Sequence, residues 1–366
     1  MKILHLLDSL NRGGAETLAL DVCKNAENYF DLTFVACGGG GLEKDFNDAN
    51  IDFIRLQRRL PFDVLIIRRL RQIIRQREIQ IVHAHQGVDG LHAYFATLGT
   101  GAKLVLSFHG GAIDVKNRFA LNFLSPRTSA NIICSNALRD WYETTAKLKI
   151  PKSKIIYNGV DEKRLRFSGG NLKDELKISR KSLLFGMIAN FYAAPRKDQL
   201  TVCRALPRVF DEIRDAHFVF IGKVETGAES KLTECADFCE SRQIIDRVHF
   251  LGVRGDVPDV LRVLDVFVLS SFHEGLPISV IEAMLAGLPV VLSDIKPHIE
   301  ISNNGESAIL FHTQNADDLS EKLLKLSLDA DFRRRSGEAA RQYAKQHFSI
   351  ETHLQQLAFL YESLIK

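Results

Sequence analysis

Short, strand-like apolar runs alternate with helix-like segments through both halves of the chain, and that alternation limits the folds open to it. In the first half the runs are Lys2 to Leu7, Leu32 to Cys37, Ile51 to Leu56, Ile81 to His85, Leu104 to Phe108 and Ala130 to Ser135. In the second they are Leu183 to Ala189, Phe218 to Gly222, Val248 to Leu251, Val266 to Leu269 and Val290 to Leu292. Strands separated by helices pair in parallel, so the predicted class is α/β: two Rossmann-like, doubly wound domains facing each other across a cleft. The run Ile155 to Asp161, with the polar, glycine-containing segment after it to about Arg180, marks a boundary. The predicted division is 1–162, 163–348 and a terminal helix within 349–366. That helix carries Leu354, Leu357, Leu360 and Leu364 on one side and is expected to pack back on the first domain.

Of the 366 residues 46% are hydrophobic and 25% charged, an ordinary soluble composition whose length suits two domains. No apolar run is long enough to span a bilayer, and Met1 to Leu10 lacks the small-residue cleavage site of a signal peptide. Cysteines stand at 23, 37, 134, 203, 235 and 239. Cys235 and Cys239 share a helix face, but no nearby histidine completes a metal set, so free thiols in a reducing cytoplasm are expected. Charge is uneven. Residues 1–160 hold 21 Lys and Arg against 15 Asp and Glu, and residues 161–366 hold 27 against 30. A basic first half suggests that this half meets something anionic.

The stretch Ser270 to Asp294, SSFHEGLPISVIEAMLAGLPVVLSD, is the most specific in the chain. Glu274 precedes a helix that Pro277 opens, that runs through Ile278, Ser279 and Ala286, and that Gly287 and Pro289 close. Glu282 comes two turns later, roughly 12 Å along a helix rising about 1.5 Å per residue. Carboxylates at that distance do not share a proton or a metal. They suit the two ends of an extended polar ligand, with the free N–H groups of a helix start between them as an anion site. The competing reading is an amphipathic helix with one exposed glutamate at each end.

Glu274, seven residues, then Glu282, within EGLPISVIEAMLAGLPVV, resembles the signature of family 4 glycosyltransferases, which have the GT-B fold. The resemblance runs over nearly the whole chain. It implies a retaining, metal-independent transfer of a hexosyl group from a nucleotide-diphosphate sugar, UDP ahead of GDP, to a hydroxyl of a glycan or lipid-linked acceptor. Glu274 with the backbone of Gly275 and Leu276 would hold the sugar, the amides near Ile278 and Ser279 the diphosphate, and Glu282 the ribose. Gly13 and Gly14, opening the first helix, resemble the loop that lies against the donor pyrophosphate. His109, in His109-Gly110-Gly111, resembles the family histidine that contacts the donor sugar. His83 and His85, spaced two apart on a strand, are the other histidines able to face a ligand. Lys197 matches a family lysine on the pyrophosphate. The family arginine that precedes it falls near Asn190, where no arginine stands, and Arg196 is its candidate replacement. Val253 lies in Phe250 to Arg254, resembling the loop whose backbone reads the base. Pro297 to Glu300 resembles a family turn, and Glu300 is read as structural. On this reading the catalytic residues are His109, Lys197 and Glu274, with no metal, no cofactor and no nucleic-acid partner.

Between Pro61 and Gln80, Ile66, Ile67, Leu70, Ile73 and Ile74 form an apolar stripe flanked by Arg68, Arg69, Arg71, Arg75 and Arg77, with Arg55, Arg58 and Arg59 ahead of it. This is either a packing helix with a solvated basic face or a surface for an anionic membrane or lipid phosphate. The second reading makes the protein cytoplasmic and peripheral at the inner face of the plasma membrane, in synthesis of surface polysaccharide or glycoconjugate. Alternatives remain open at this point: another GT-B nucleotide-sugar enzyme, such as an epimerase or hydrolase, a non-catalytic nucleotide-sugar-binding subunit, or a dehydrogenase, against which the absent G-x-G-x-x-G weighs.

Overall fold

The computed structural model describes residues 1–49, 51–85, 87–110, 115–166 and 169–366. The chain divides into two compact units, one of Met1–Val160 with Phe348–Lys366, the other of Asp161–His347. In the first unit β1 (Lys2–Leu7), β2 (Asp31–Ala36), β3 (Asp52–Arg55), β4 (Ile81–Ala84), β5 (Lys103–Phe108), β6 (Ala130–Ile133) and β7 (Ser153–Ile155) form one sheet, in the order β3-β2-β1-β4-β5-β6-β7. In the second, β8 (Leu183–Ile188), β9 (Ala216–Ile221), β10 (Val248–Phe250), β11 (Val266–Leu269), β12 (Val290–Ser293) and β13 (Ile309–Phe311) take the order β10-β9-β8-β11-β12-β13. Every pairing within both sheets is parallel. The central strands are largely apolar and closed to solvent, Val266 to Leu269 of β11 and Ile3 and Leu4 of β1 at 0% exposure, as parallel strands covered on both faces must be; His5 and His83 are buried polar exceptions. Both units are thus doubly wound α/β.

β7 and β13 were not anticipated. Each has three residues and takes the outer place of its sheet, where it pairs on one side only and its side chains stay mostly half-buried. Edge strands that short carry too little apolar pattern to be read.

In each sheet strand order reverses once, between β1 and β4 and between β8 and β11. There the connections leave neighbouring strands in opposite directions and open a crevice at the carboxyl ends. The loops that follow these four strands carry most of the residues singled out from the sequence: Gly13 and Gly14 after β1, His85 after β4, Lys197 after β8 and Glu274 after β11.

The loop of glycines 38–41 is tied to the loop after β1. Leu10 N donates to Gly39 O at 3.1 Å and Leu42 N to Leu10 O at 2.9 Å. A Cβ on Gly38 would stand 2.7 Å from Asp8 O, and one on Gly40 would overlap the Leu10–Asn11 backbone. Here glycine serves close backbone approach. The helix Ile350–Ile365 closes the first unit, burying Leu354, Leu357, Leu360 and Tyr361 beside the helix Gly14–Asn25. Tyr361 meets the Phe30 ring edge-on at 5.3 Å.

The fit at Gly40 is testable with Trp141, the chain's one tryptophan, which lies in the first unit and reports its unfolding. Gly40→Ala is expected to lower the stability read by Trp141 fluorescence in urea by about 1–3 kcal/mol. Gly41→Ala, whose Cβ would find Arg12 Cγ at an ordinary 3.7 Å, is expected to change it little. Equal effects would reject the close-approach account.

Candidate active site

In the second unit the segment after β8 is zipped to the segment after β11. Asp198 N donates to Ser270 O at 3.0 Å, Phe272 N to Arg196 O at 2.9 Å, and Lys197 and Ser271 form an antiparallel bridge. This backbone contact brings Lys197 Nζ onto Glu274 Oε1, to which the Ser271 hydroxyl also donates at 2.8 Å. The pair is held among largely buried side chains, 13% and 11% exposed. Arg196 points elsewhere, with its guanidinium carbon 5.1 Å from the centre of the Tyr192 ring. Asn190, near the place of the family arginine, donates from its side chain to Glu225 at 3.2 Å and accepts from Lys223 N at 2.9 Å.

Ser293 at the end of β12 underpins the pair. Its hydroxyl accepts from Ser271 N and donates to Ser271 O, both at 3.0 Å. His298 Nδ1 donates to Ser293 O at 2.8 Å, which leaves Nε2 as the bare acceptor, buried and without a partner among the described residues. Burial chiefly, and Lys197 nearby, hold this ring neutral by pushing its pKa down to about 4. The sequence reading could assign no role to the turn that carries it.

Helix Ile278–Leu285 begins one residue after Pro277, with Gly287 at φ +82° beyond its end, where a left-handed residue closes helices. Glu274 therefore sits on the loop, and helical rise covers only the half of the path from Ile278 to Glu282. The distance of roughly 12 Å reasoned from a continuous helix does not apply. Val280 N and Ile281 N bond back to Pro277 O, so the Ile278 and Ser279 amides precede the first helical bonds. Gly275, Leu276 and Ile278 are buried, Ser279 is half-buried and Ala286 is exposed. Glu282 is 7% exposed and accepts from Arg164 at 2.5 Å, which rules out the exposed-glutamate reading. Arg164 stands 118 positions away and was not singled out from the sequence. Val253 is 62% exposed, after Gly252.

In the first unit Gly13 is extended and precedes the helix Gly14–Asn25. A Cβ there would meet the Glu16 carboxylate, which folds back over it. Gly111 lies outside the described residues. β1 and β4 pair with His5 opposite His83, and the rings stand 4.6 Å apart. His85 stacks on both neighbours, 4.4 Å from His83 and 5.2 Å from His109. A hydrogen-bonded series results. Ser107 Oγ meets His83 Nε2 at 2.6 Å, His83 Nδ1 meets Tyr361 Oη at 2.6 Å, and Tyr361 Oη meets His5 Nε2 at 3.0 Å. His5 Nδ1 then meets His85 Nε2 at 3.1 Å, and His85 Nδ1 meets His109 Nε2 at 2.9 Å. The sequence shows no metal-ligand spacing, yet the fold gathers His5, His83 and His85 with nitrogens within 4.8 Å. Each of those nitrogens is already engaged in the series.

Arg58 also differs from expectation. It is drawn inward, paired with Asp8 after β1 and bonded at 3.0 Å to Asp89, whose carboxyl is pushed well above its usual range by burial and by Asp8. Arg71 bonds to the carbonyls of Phe95 at 2.6 Å and Ala96 at 3.4 Å. Arg68, Arg69 and Arg75 are exposed.

A family model described as Glycosyltransferase Family 4 matches residues 12–164, and one described as Glycosyl transferases group 1 matches residues 170–343. The N,N'-diacetylbacillosaminyl-diphospho-undecaprenol alpha-1,3-N-acetylgalactosaminyltransferase of Campylobacter jejuni is 36% identical over 293 residues, covering 76% of this chain and 70% of that one. The UDP-Gal:alpha-D-GlcNAc-diphosphoundecaprenol alpha-1,3-galactosyltransferase of Escherichia coli is 24% identical over 353 residues, 90% and 88% of the two chains. The crystal structure of HepE from Anabaena in complex with UDP matches with a TM-score of 0.85 at 22% identity, over 99% of this chain and 100% of that one, a likeness of fold. With one model on each half and a relative more than a third identical over three quarters of this chain, the chain belongs to the family 4 glycosyltransferases and is a glycosyltransferase of the GT-B fold.

Proposed function

We propose that the protein moves a hexosyl group from a UDP-sugar to a hydroxyl of a sugar carried on a lipid diphosphate, with retention at the anomeric carbon and without a metal ion. The observation that carries this reading is the Lys197–Glu274 pair, fixed by Ser271 beside the first turn of the helix Ile278–Leu285. A cation and helix-start amides side by side suit a diphosphate, and a clamped carboxylate suits sugar hydroxyls. Lys197 and the Ile278 and Ser279 amides stabilise the diphosphate as the bond from the anomeric carbon to its oxygen breaks. Arg196 is the candidate second cation in place of the arginine missing near Asn190, and to serve it has to leave the Tyr192 ring over which it lies. Glu274, with the backbone of Gly275 and Leu276, holds the sugar. Glu282, oriented by Arg164, takes the ribose hydroxyls, Val253 flanks the base, and the Gly13 and Gly14 amides approach the pyrophosphate. His109 contacts the donor sugar. The acceptor oxygen forms the new bond and its proton passes to the departing diphosphate, so no separate base is assigned.

Uridine is favoured by the likeness to HepE, solved with UDP and with UDP-glucose, and by the UDP-Gal in the name of the E. coli relative. The lipid diphosphate follows from the diphosphoundecaprenol in the names of the E. coli and C. jejuni relatives. An exposed surface fits that acceptor. Leu60, Phe62, Val64 and Leu65 are 47–63% exposed, and Arg59, Arg68, Arg69 and Arg75, on the same segment and helix, are exposed as well. Apolar side chains beside free cations suit the headgroup region of an anionic membrane. No described helix is long and apolar enough to cross a membrane. We therefore assign the protein to the inner membrane face as a peripheral enzyme of surface glycan synthesis.

A thermal-shift comparison tests the donor site. UDP is expected to raise the melting temperature more than GDP, equally with and without EDTA, and loss of the UDP shift in EDTA would reject metal independence. In transfer assays with a UDP-sugar and a lipid-diphosphate-linked acceptor, Lys197→Ala is expected to lower kcat about 100- to 1,000-fold. Glu274→Gln is expected to do likewise with unchanged circular dichroism, and near-normal rates in either variant would reject its role. For the surface, Arg68→Glu, Arg69→Glu and Arg75→Glu together are expected to weaken binding to phosphatidylglycerol vesicles about 100-fold or more, at ~1 kcal/mol per cation removed. Unchanged binding would sink the membrane assignment.

A further inference from the structure

The hydrogen-bonded series in the first unit has two ends of different kind. One is Ser107, within β5 and 5% exposed. The other is Nδ1 of His109, at the carboxyl end of the same strand. That nitrogen is itself buried and has no partner among the described residues, while His109 as a whole is half-buried. We infer that Ser107, His83, Tyr361, His5 and His85 act as positioning residues, a directional chain that holds the His109 proton on Nδ1 and makes this histidine a hydrogen-bond donor to a ligand oxygen.

The argument is one of proton counting. Burial, the largest cause in each case, lowers the pKa of His5 to about 3 and of His109 to about 4, and those of His83 and His85 well below the usual range. All four rings are therefore neutral near pH 7. Each has one N–H and one bare nitrogen, so a choice at one ring is passed to the next. Three arrangements use every link. In one, the Tyr361 oxygen accepts from both His83 and His5, which leaves its own buried hydroxyl hydrogen with no acceptor among the described residues; the other two run in a single direction. In the first of these two, the Ser107 hydroxyl donates to His83, His83 Nδ1 to Tyr361, Tyr361 to His5, His5 Nδ1 to His85 and His85 Nδ1 to His109. His109 Nδ1 is then N–H, and a ligand oxygen that accepts from it completes the chain with every donor used. The second arrangement runs backwards. It puts all four protons on Nε2 and leaves the Ser107 hydroxyl hydrogen with no acceptor among the described residues. No ligand at His109 repairs that loss, because it lies at the closed end.

The cavity these rings border, with Cys134, Asn158 and His353, is about 10 Å³, the lower limit for one water, so a substrate oxygen reaches the buried Nδ1 from outside this cavity and only when the groups covering that nitrogen give way. His109 accordingly donates to substrate. It cannot take a proton at Nδ1 unless the series reverses from Tyr361 outward. Which substrate oxygen it meets rests on the donor-sugar reading above, whereas the proton arrangement does not.

Long-range ¹H–¹⁵N NMR of histidine-labelled full-length protein reads each tautomer, with His109→Gln assigning the outermost ring. Free histidine side chains favour Nε2–H, so the expected result, Nδ1–H at His5, His83, His85 and His109 alike, runs against the intrinsic preference. Nε2–H at His109 in the wild type would overturn the inference. Tyr361→Phe cuts the series at its middle and is expected to let Nε2–H signals appear, whereas unchanged tautomers would also overturn it. With UDP-glucose added, the His109 Nδ1–H signal is expected to shift. If the four tautomers are as assigned and UDP-glucose leaves His109 untouched, the donor-sugar role fails while the directional chain stands. In transfer assays Tyr361→Phe is expected to lower kcat/KM about 5- to 10-fold, with UDP affinity unchanged.

Discussion

Parallel pairing at the two reversals of strand order sets nearly everything described above. β1 lies against β4 with His5 opposite His83, and β8 against β11 with Phe185 opposite Val266. At those places the chain departs to opposite faces of the sheet, and the carboxyl ends of neighbouring strands are left without a covering connection. In the second unit the opening is spanned by the short bridge between Lys197 and Ser271. A slip of one residue in that register would turn Glu274 and Lys197 to opposite sides, so the ion pair depends on backbone pairing.

Carboxylates near these sheet edges come with cations: Glu274 with Lys197, Glu282 with Arg164, and Asp8 and Asp89 with Arg58. Removing such groups from water costs about as much as their attraction returns, so these pairs add little to stability by themselves. What they supply is orientation. A carboxylate held by a cation on one oxygen keeps its direction, and the neutral pair can remain shielded until an anion arrives. Asp89 is the exception, since one of its oxygens has no partner among the described residues.

Much of this was legible in the sequence because it is carried by contiguous residues. The strand Val266–Leu269, the loop with Glu274 and the helix ending at Gly287 follow one another, and each needs only local rules of burial, capping and left-handed closure. Lys197 was singled out differently, by its match to a family lysine and not by any local rule. What could not be read were partners set by the fold. Tyr361 meets His5 across 356 positions, and Arg164 meets Glu282 across 118. His5 gave no signal, since one histidine on an apolar strand is more often plain core, and its neighbours are decided by strand order. The basic run misled in part for the same reason. Arg58 and Arg71 look like surface charge by periodicity, and the fold turns both toward acceptors. The two edge strands lacked length enough to declare themselves.

The helix Ile350–Ile365 belongs to the unit built from Met1–Val160, so that unit is interrupted by the whole of Asp161–His347. During synthesis the first sheet therefore emerges well before the helix that covers it. Until Tyr361 leaves the ribosome, His5 and His83 lack their shared hydroxyl, and the side of β1 that the helix buries stays open. The later unit, continuous in sequence, has all its residues first. The order of completion along the chain is thus the reverse of the order of translation, and the earliest-made sheet is the one most dependent on chaperoning or on speed.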